Sequence, residues 1–293
     1  MKKFFNNFSF FKTILFVLLV IYSLSLLIPL FWGALSSLKS VEEFRLNILG
    51  FPEQITFDNF QHVIERFVVI TPSRDGRMKT IYVETMIFNS IIYVIGISFF
   101  ASVMPFLTAY LTAKFPGKLA SAINVIVIIA LALPIVGATP SELELLMNLK
   151  LYDTFAGVFI LRSTFLSVYY LVFYSMFKSL SQDFVEAAAL DGASELRIML
   201  QIIMPIAKST FLAVFLVHFI SYWNDYQAPL LYIPSYVTLS YGLYFLSTST
   251  ENGLGYVPMR MTGVVLVVIP ILVLYMIFRK KIMNNVSLGG SKE

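Results

Sequence analysis

Residues 186 to 192 read Glu-Ala-Ala-Ala-Leu-Asp-Gly, and after nine further residues the chain continues with Ile-Ile-Met-Pro at residues 202 to 205. This charged segment lies between two long apolar runs. A polar helix-turn-helix that a membrane chain keeps between two spans is typical of a surface offered to a soluble partner. The segment therefore predicts a polytopic membrane fold with a docking loop on one side.

The composition also assigns the chain to the membrane. It is 58% hydrophobic and 13% charged, with a mean hydropathy of +0.81, whereas soluble domains are roughly 45–50% apolar and about 25% charged. A chain of 293 residues has room for several spans of about 20 residues each, but for no large soluble domain. The absence of cysteine excludes a disulfide framework and thiolate metal sites.

The apolar runs predict an all-α, polytopic membrane protein with six transmembrane helices in a single membrane domain, residues 1–293. The predicted spans cover about residues 13–35, 85–113, 119–139, 154–177, 209–233 and 261–278. The first run exceeds the 7–15 apolar residues typical of a signal peptide, so it is kept as a span. The main connections are a partly helical outer loop at 36–84, a cytoplasmic loop at 178–208 and a cytoplasmic tail at 279–293.

Basic residues in the short loops orient the chain, because cytoplasmic loops carry an excess of lysine and arginine. The residues on the predicted cytoplasmic side are Lys114, Lys118, Lys178, Arg197, Lys208 and the cluster Arg279-Lys280-Lys281. The short loops on the other side hold little beyond Lys150 and Arg260. Both termini are therefore predicted to be cytoplasmic, and the net charge of +4 reflects topology rather than nucleic-acid binding.

The cytoplasmic loop predicts two short helices joined by a tight bend. Asp183 and Glu186 have the spacing of a capping pair at a helix start, and Gly192 suits the left-handed residue that ends a helix. Ser194 is a predicted N-cap for the next helix. Pro205 is predicted to open the fifth span, at a first turn where its missing backbone donor is tolerated. On these residues alone, a capped interfacial helix and a docking helix remain equally open.

The pattern Glu186-Ala187-Ala188, three residues, Gly192, nine residues, Ile202, one residue, Met204-Pro205 resembles the EAA loop of permease subunits in binding-protein-dependent ABC importers. It departs from that family at Met204, where leucine is usual. Further segments resemble carbohydrate importers, and the MalG-like member of the permease pair in particular. They are Asn89-Ser90, Ala109-Tyr110, Lys114-Phe115-Pro116-Gly117, Leu190-Asp191-Gly192-Ala193-Ser194, Ser221-Tyr222-Trp223-Asn224-Asp225-Tyr226 and Ser287-Leu288-Gly289-Gly290.

The resemblance implies a subunit that forms half of a translocation path for a sugar or oligosaccharide across the bacterial plasma (inner) membrane. The implied partners are a second related permease in a heterodimer, a cytoplasmic ATPase dimer, an extracytoplasmic solute-binding protein and membrane lipid, with no nucleic acid. The chain lacks a Gly-x-x-x-x-Gly-Lys-Ser/Thr phosphate loop. ATP and Mg are therefore expected in the partner ATPase, and this chain is expected to hold no cofactor or metal and to be no enzyme.

Two sets of candidate site residues follow. The expected ATPase-coupling residues are Glu186, Ala187, Ala188, Asp191, Gly192 and Pro205. The candidate translocation-path residues are His218, Trp223, Asn224 and Asp225, because polar groups within a predicted span are costly unless they serve a function. Interhelical hydrogen bonding of the polar members and an interfacial aromatic belt at Trp223 are equally open interpretations.

Other functions fit the sequence less well. Within the same importer class, a noncarbohydrate solute such as a polyol phosphate or a peptide remains an alternative. A secondary transporter would be expected to show two related halves with broken helices, and no internal repeat is seen. Two histidines and no cysteine offer little for an intramembrane enzyme.

Overall fold

The structure, a computed structural model, describes residues 10–72, 76–133, 137–180, 188, 190–248 and 255–286, and of residues 274, 275 and 278–286 the backbone alone. The chain divides into two compact units. Unit 1 comprises residues 1–67 and 243–269, and unit 2 comprises residues 68–242 and 270–293.

Unit 1 begins with the long apolar helix α1 (Phe10–Ser37), followed by α2 (Val41–Leu46) and α3 (Asp58–Arg66). Within α1, the hydroxyl groups of Ser23 and Ser25 donate to the carbonyl oxygens of Leu19 and Tyr22. These polar groups are thereby satisfied inside the helix, as an apolar surrounding requires. At the C-terminal end of α1, the buried Asn59 side-chain amide donates to two backbone carbonyls, those of Ser37 and Lys39, at 2.8 and 2.7 Å.

Unit 2 opens with an antiparallel hairpin of β1 (Val68–Pro72) and β2 (Met78–Tyr82), in which Val68 pairs with Tyr82 and Pro72 pairs with Met78. The helices that follow are α4 (Val83–Lys114), α5 (Lys118–Ala132), α6 (Thr139–Asn148), α7 (Phe155–Arg162), α8 (Val168–Ser179), α9 (Glu195–Ile198), α10 (Met204–Trp223) and α11 (Gln227–Tyr232). Two further helices, α12 (Leu239–Thr248) and α13 (Val257–Val286), contain residues of both units.

The core of unit 2 is built around α4, which packs against α8 and α10. The buried Phe106 ring meets the rings of Phe173, Phe177 and Phe211 edge to face, with centroids 5.2–5.4 Å apart. This is a favourable aromatic geometry. We call the buried residues around it the aromatic core: Phe106, Ala109, Tyr110, Ala113, Val127, Tyr170, Phe173, Phe177, Ile198, Ile203, Ala207 and Val214.

A hydrogen-bond network ties three helices together inside this core. The buried Tyr170 hydroxyl of α8 lies 2.8 Å from the Thr112 hydroxyl of α4 and donates to Asn124 Oδ1 of α5 at 2.9 Å. The polar groups of Thr112, Asn124 and Tyr170 thus satisfy one another, which a low-dielectric interior demands. The network fixes the relative rotation of α4, α5 and α8 near the start of the predicted cytoplasmic loop.

The helices differ from the predicted spans where polar residues interrupt them. The predicted span 154–177 contains α7 and α8, which are separated at residues 163–167 by a Ser-Thr-Phe-Leu-Ser segment whose side chains compete with the helical backbone. The predicted span 209–233 corresponds to the end of a helical stretch that begins at Glu195 and ends at Trp223, followed by the separate helix α11.

Three helical stretches within the described ranges are long and apolar enough to cross a membrane: Phe10–Ser37, Val83–Lys114 and Glu195–Trp223. Shorter apolar helices are found at Lys118–Ala132 and Val257–Val273. The fold is that of an all-α membrane protein with one small hairpin. The count of six spans stays a prediction.

Candidate functional site

The predicted cytoplasmic loop, residues 178–208, is the first candidate site, and the structure describes part of it. Asp183, Glu186 and Ala187 lie outside the described residues. Ala188, Asp191, Gly192 and Pro205 lie within them.

Gly192 ends a helix by adopting the left-handed conformation that its sequence position predicts, with φ at +77°. The amide of Ala193 donates to the carbonyl of Ala188 at 3.0 Å. This bond spans six residues and, with a left-handed residue just before its donor, is the signature of a Schellman turn. A Cβ on Gly192 would meet no atom within 4 Å. The glycine is therefore required by backbone conformation and not by lack of space.

A second helix starts directly after this turn. Ser194 caps α9, as predicted, by accepting a hydrogen bond from the amide of Arg197 at 3.4 Å. Glu195, in the first turn of α9, forms an ion pair with Lys114 at the end of α4. The ion pair links the loop to the longest helix of unit 2, although Glu195 is exposed and the pair adds little stability on its own.

The loop is mounted on the aromatic core by its small and branched residues. Ala188 and Ala193 pack against that core, and Ile198 of α9 is a buried member of it. On the other side, Leu190 is 89% exposed and stands beside the exposed Asp191. The loop thus presents a large apolar side chain to the outside from a support that is packed against the aromatic core.

Pro205 occupies its predicted position in a different setting. It lies in the first turn of α10, as predicted, but α10 does not start from a loop, because it continues from α9 through a π-helical segment at Met199–Ile203 as one helical stretch, Glu195–Trp223. Proline has no amide and its ring clashes with the carbonyl four residues earlier. The wider turn, in which the Met204 amide bonds to the Met199 carbonyl, accommodates this clash without a break. Single π-turns of this kind occur frequently at functional sites.

The candidate translocation-path residues fall into two groups. His218 Nδ1 lies 3.0 Å from the Ser102 hydroxyl of α4, and its ring contacts those of Tyr169 and Tyr222 at centroid distances of 4.5 and 5.9 Å. Tyr222 in turn meets Tyr93 edge to face at 6.5 Å. His218 therefore belongs to a polar and aromatic cluster between α4, α8 and α10.

Asp225 joins this cluster from the end of α10. One carboxylate oxygen accepts from the Tyr93 hydroxyl at 3.1 Å, and the other accepts from the amides of Gln227 and Ala228 at 3.0 and 3.1 Å. Asp225 is thus a side-chain cap for the start of α11. The observed bonds give this residue a structural role in addition to any part in the path.

Trp223 and Asn224 face other surroundings. Trp223 is buried, and its ring stacks on Phe219 at 5.8 Å, while its carbonyl accepts from the Ser240 hydroxyl. Asn224 is exposed, and its amide donates to the carbonyl of Ile220 at 2.8 Å at the end of α10. Of the four candidates, only His218 and Asp225 are brought together, through the intervening Tyr222.

We expect Asp225→Ala to lower stability by about 1 kcal/mol, a typical value for loss of a side-chain cap. Asparagine caps as well as aspartate, so Asp225→Asn is expected to retain the wild-type stability. Thermal unfolding of the purified variants in detergent would measure both effects. Equal destabilisation by alanine and asparagine would contradict the capping role and show that the carboxylate charge is what matters.

Sequence patterns missed several residues of both sites. Lys114 is predicted only as a topology signal and as part of a motif, although it pairs with Glu195, and Leu190 only as part of a motif. Tyr93 and Ser102 lie on the apolar helix α4. The only sign of either residue in the sequence is a polar side-chain atom within a predicted span. Their partners lie more than 100 residues away in the chain, so local patterns cannot reveal the pairing.

Comparison with known proteins connects this geometry to a family. A family model described as the binding-protein-dependent transport system inner membrane component matches residues 101–286. That range contains the cytoplasmic loop, the aromatic core and all four candidate path residues.

Individual relatives agree with the family match. The diacetylchitobiose uptake system permease protein NgcG of Streptomyces coelicolor is 26% identical over 95% of this chain and 88% of its own length. The arabinooligosaccharides transport system permease protein AraQ of Bacillus subtilis is 26% identical over 98% of each chain. The sn-glycerol-3-phosphate transport system permease protein UgpE of Shigella flexneri is 31% identical over 50% of this chain and 52% of its own.

A solved structure supports the fold. A chain of a bacterial ABC transporter involved in the import of the acidic polysaccharide alginate aligns with a TM-score of 0.72 at 22% sequence identity. The alignment covers 93% of this chain and 98% of that one. At this identity the likeness concerns the fold alone.

Proposed function

Because this chain belongs to the family of binding-protein-dependent transport system inner membrane components, we propose that it is a permease subunit of an ABC importer for a sugar or oligosaccharide. It forms half of the translocation path and couples to an ATPase through residues 183–205. The two relatives aligned over nearly the whole chain are permease proteins for diacetylchitobiose and arabinooligosaccharides, which supports the carbohydrate class.

The geometry of the cytoplasmic loop is the observation that carries this proposal. A helix ending at Gly192, a fresh helix start at Ser194 and an exposed Leu190 form a compact projection mounted on the aromatic core. A projection mounted in this way transmits the motion of a docked partner to the helices beneath it as a rigid body, and such motions are one route to alternating access. The proposed partner is a cytoplasmic ATPase dimer that binds the ATP and Mg.

The remaining partners follow from the same proposal. A second, related permease completes the path, a solute-binding protein delivers the substrate from outside, and both termini of this chain lie in the cytoplasm. His218, with Ser102 and Tyr222, is the polar cluster proposed to line the path. Glu186 and Ala187 are proposed to belong to the docking surface.

A polyol phosphate is the second candidate substrate. It is supported by the similarity to a sn-glycerol-3-phosphate permease protein at 31% identity, although only half of each chain is aligned. Binding of each solute class to the cognate solute-binding protein would separate the two substrates, because the permease loop is expected to be the same in both.

The test is an affinity pull-down of the tagged chain from mildly solubilised native membranes, with the co-purifying proteins identified by mass spectrometry. We expect an ATPase and a second permease. Leu190→Asp is expected to lose the ATPase and keep the permease, because it places a charge where the exposed leucine would be buried by the partner.

A matched control is Leu149→Asp, which makes the same change at an exposed leucine of the short loop predicted on the opposite side of the membrane and is expected to keep the ATPase. Recovery of the chain without an ATPase, in a detergent that preserves other ABC complexes, would overturn the importer proposal. Retention of the ATPase by Leu190→Asp would overturn the assigned docking surface alone.

A further inference from the structure

The segment Leu46–Phe51 of unit 1 exposes large apolar side chains at unusual levels. Leu46 is 92% exposed, Leu49 is 82% exposed and Phe51 is 79% exposed, and Ile48 between them is also exposed. Single exposed apolar residues are ordinary, but four large ones within six residues mark a surface that is covered by something else. The predicted function does not account for this segment.

The exposure does not arise from a loose loop. The side-chain ammonium of Lys39, itself 1% exposed, donates to the carbonyls of Asn47 and Gly50 at 2.6 and 2.7 Å. The Asn47 side chain accepts from the Gly50 amide at 2.8 Å and donates to the Phe51 carbonyl at 3.0 Å. The backbone is held by these bonds while its apolar side chains point away from the protein.

The exposure of α1 locates the membrane boundary along that helix. Every residue from 10 to 31 is exposed, whereas Gly33, Ser36 and Ser37 are buried by the rest of unit 1. At about 1.5 Å per residue the bare stretch is roughly 33 Å long, close to the hydrocarbon thickness of about 30 Å. The protein begins to cover the helix where the hydrocarbon is expected to end.

The Leu46–Phe51 segment lies at this boundary. The indole nitrogen of Trp32 donates to the carbonyl of Ile48 at 2.9 Å, and Trp32 is the first residue of α1 after the bare stretch. Tryptophan is enriched at the junction of hydrocarbon and headgroups. The hydrogen bond therefore sets the depth of the segment, and this depth is the same whichever end of α1 is cytoplasmic.

We propose that Leu46–Phe51 is a lipid-binding anchor, whose leucine and phenylalanine side chains enter the interfacial layer of the leaflet at the C-terminal end of α1. The lipid class is zwitterionic phospholipid. The charge that holds the segment, on Lys39, is turned inward to backbone carbonyls. The charged groups beside the segment are Glu42, Glu43 and Glu53 against the single Arg45, which lies over the Tyr256 ring, and their net negative charge disfavours anionic headgroups. The anchor widens the apolar surface at the C-terminal end of α1 and fixes the depth of that helix end in the bilayer.

Spin labelling tests the anchor directly, because the wild-type chain has no cysteine. Leu49→Cys and Phe51→Cys would be labelled with a nitroxide, with the exposed Gln54→Cys as a matched control on the same loop. Each variant would be reconstituted in phosphatidylcholine vesicles with its co-purifying partners retained. The unsubstituted chain is labelled and reconstituted in the same way. Its signal gives the background from labelled cysteines of the partner proteins.

The collision rate of each nitroxide with oxygen, which concentrates in lipid, is compared with its collision rate with a water-soluble nickel chelate. We expect the ratio of oxygen to nickel accessibility to be at least several-fold higher at positions 49 and 51 than at position 54. A ratio at 49 and 51 equal to that at 54 would place the segment in water and overturn the proposal. Protection from both reagents would overturn it as well, since the segment would then be covered by a protein partner.

Discussion

Replacement of Gly192 by threonine is expected to reduce transport about tenfold or more, while the amount of chain in the membrane stays unchanged. A left-handed conformation costs an L-residue with a side chain about 1–2 kcal/mol, and a β-branched residue is a strong outlier there. Since 1.4 kcal/mol corresponds to a factor of ten in an equilibrium, the equilibrium at Gly192 shifts about tenfold from the formed bend towards the opened one. Substrate uptake by the reconstituted importer measures the loss.

Gly117→Thr is the matched control for this change. Gly117 also lies in a predicted cytoplasmic loop, and a Cβ there would also meet no atom within 4 Å, but its backbone is extended, with φ at 173°. Threonine and glycine are similar as N-caps, so the role of Gly117 at the start of α5 is preserved. We expect this variant to transport like the wild type.

Gly192→Asn refines the comparison, because asparagine visits the left-handed region more readily than other residues with side chains. It should recover part of the transport that Gly192→Thr loses. If Gly192→Thr transports normally in a fully assembled complex, the bend is not needed for coupling and the docking role of this loop is contradicted.

The parts of the site that sequence predicts well are those fixed by local preference. The glycine at position 192 and the serine at position 194 were assigned from their residue types and spacing, and both adopt the expected conformations. Each requirement involves atoms within six residues of the chain. Local chemistry is sufficient in such cases because no distant contact competes with it.

Pro205 shows where local rules stop. The rule that proline opens a helix holds unless tertiary packing maintains the helix on both sides. Here Ile198, directly before the π-helical segment, and Ile203, its last residue, are both buried in the aromatic core, and their burial keeps the stretch helical up to the proline. This burial depends on α4 and α8, which a reading of residues 195–205 alone does not include.

Asp225 and the hairpin illustrate the same limit. Asp225 was placed inside a predicted span by hydropathy, but α10 ends at Trp223 and the carboxylate caps the next helix. The two strands of the hairpin lie in the predicted outer loop 36–84, for which only partial helix was expected. Their alternation is incomplete: Val69, Thr71 and Ile81 are buried on one face, but Lys79 on that face is exposed.

The second large effect is expected at Asp153, where alanine should lower stability by about 3 kcal/mol. Asp153 is 5% exposed, and its carboxylate accepts from the Ser235 amide at 3.0 Å and lies 2.6 Å from the Ser235 hydroxyl. Hydrogen bonds to a charged group contribute about 1.5–3 kcal/mol each. Their loss would leave buried donors without their acceptor, and thermal unfolding in detergent would show the change.

Lys150→Ala separates these bonds from backbone strain. Lys150 and Asp153 both have positive φ, at 57° and 56°, but Lys150 is exposed. Both variants therefore carry the strain of an alanine in the left-handed region, but only Asp153→Ala also loses the buried hydrogen bonds. A stability loss of equal size in the two variants would contradict the role given to the carboxylate.

The effect of Asp153→Ala should also extend beyond stability to the segment it holds. The Ser235 hydroxyl lies 3.0 Å from the carbonyl oxygen of Pro72 in β1, and the Thr71 hydroxyl donates to the carbonyl of Pro234 at 2.9 Å. Asp153 thus fixes the segment 233–236 against the hairpin. We expect the rate of hydrogen exchange at the backbone amides of this segment to rise in Asp153→Ala and to stay unchanged in Lys150→Ala. Only Asp153→Ala removes the carboxylate that holds Ser235.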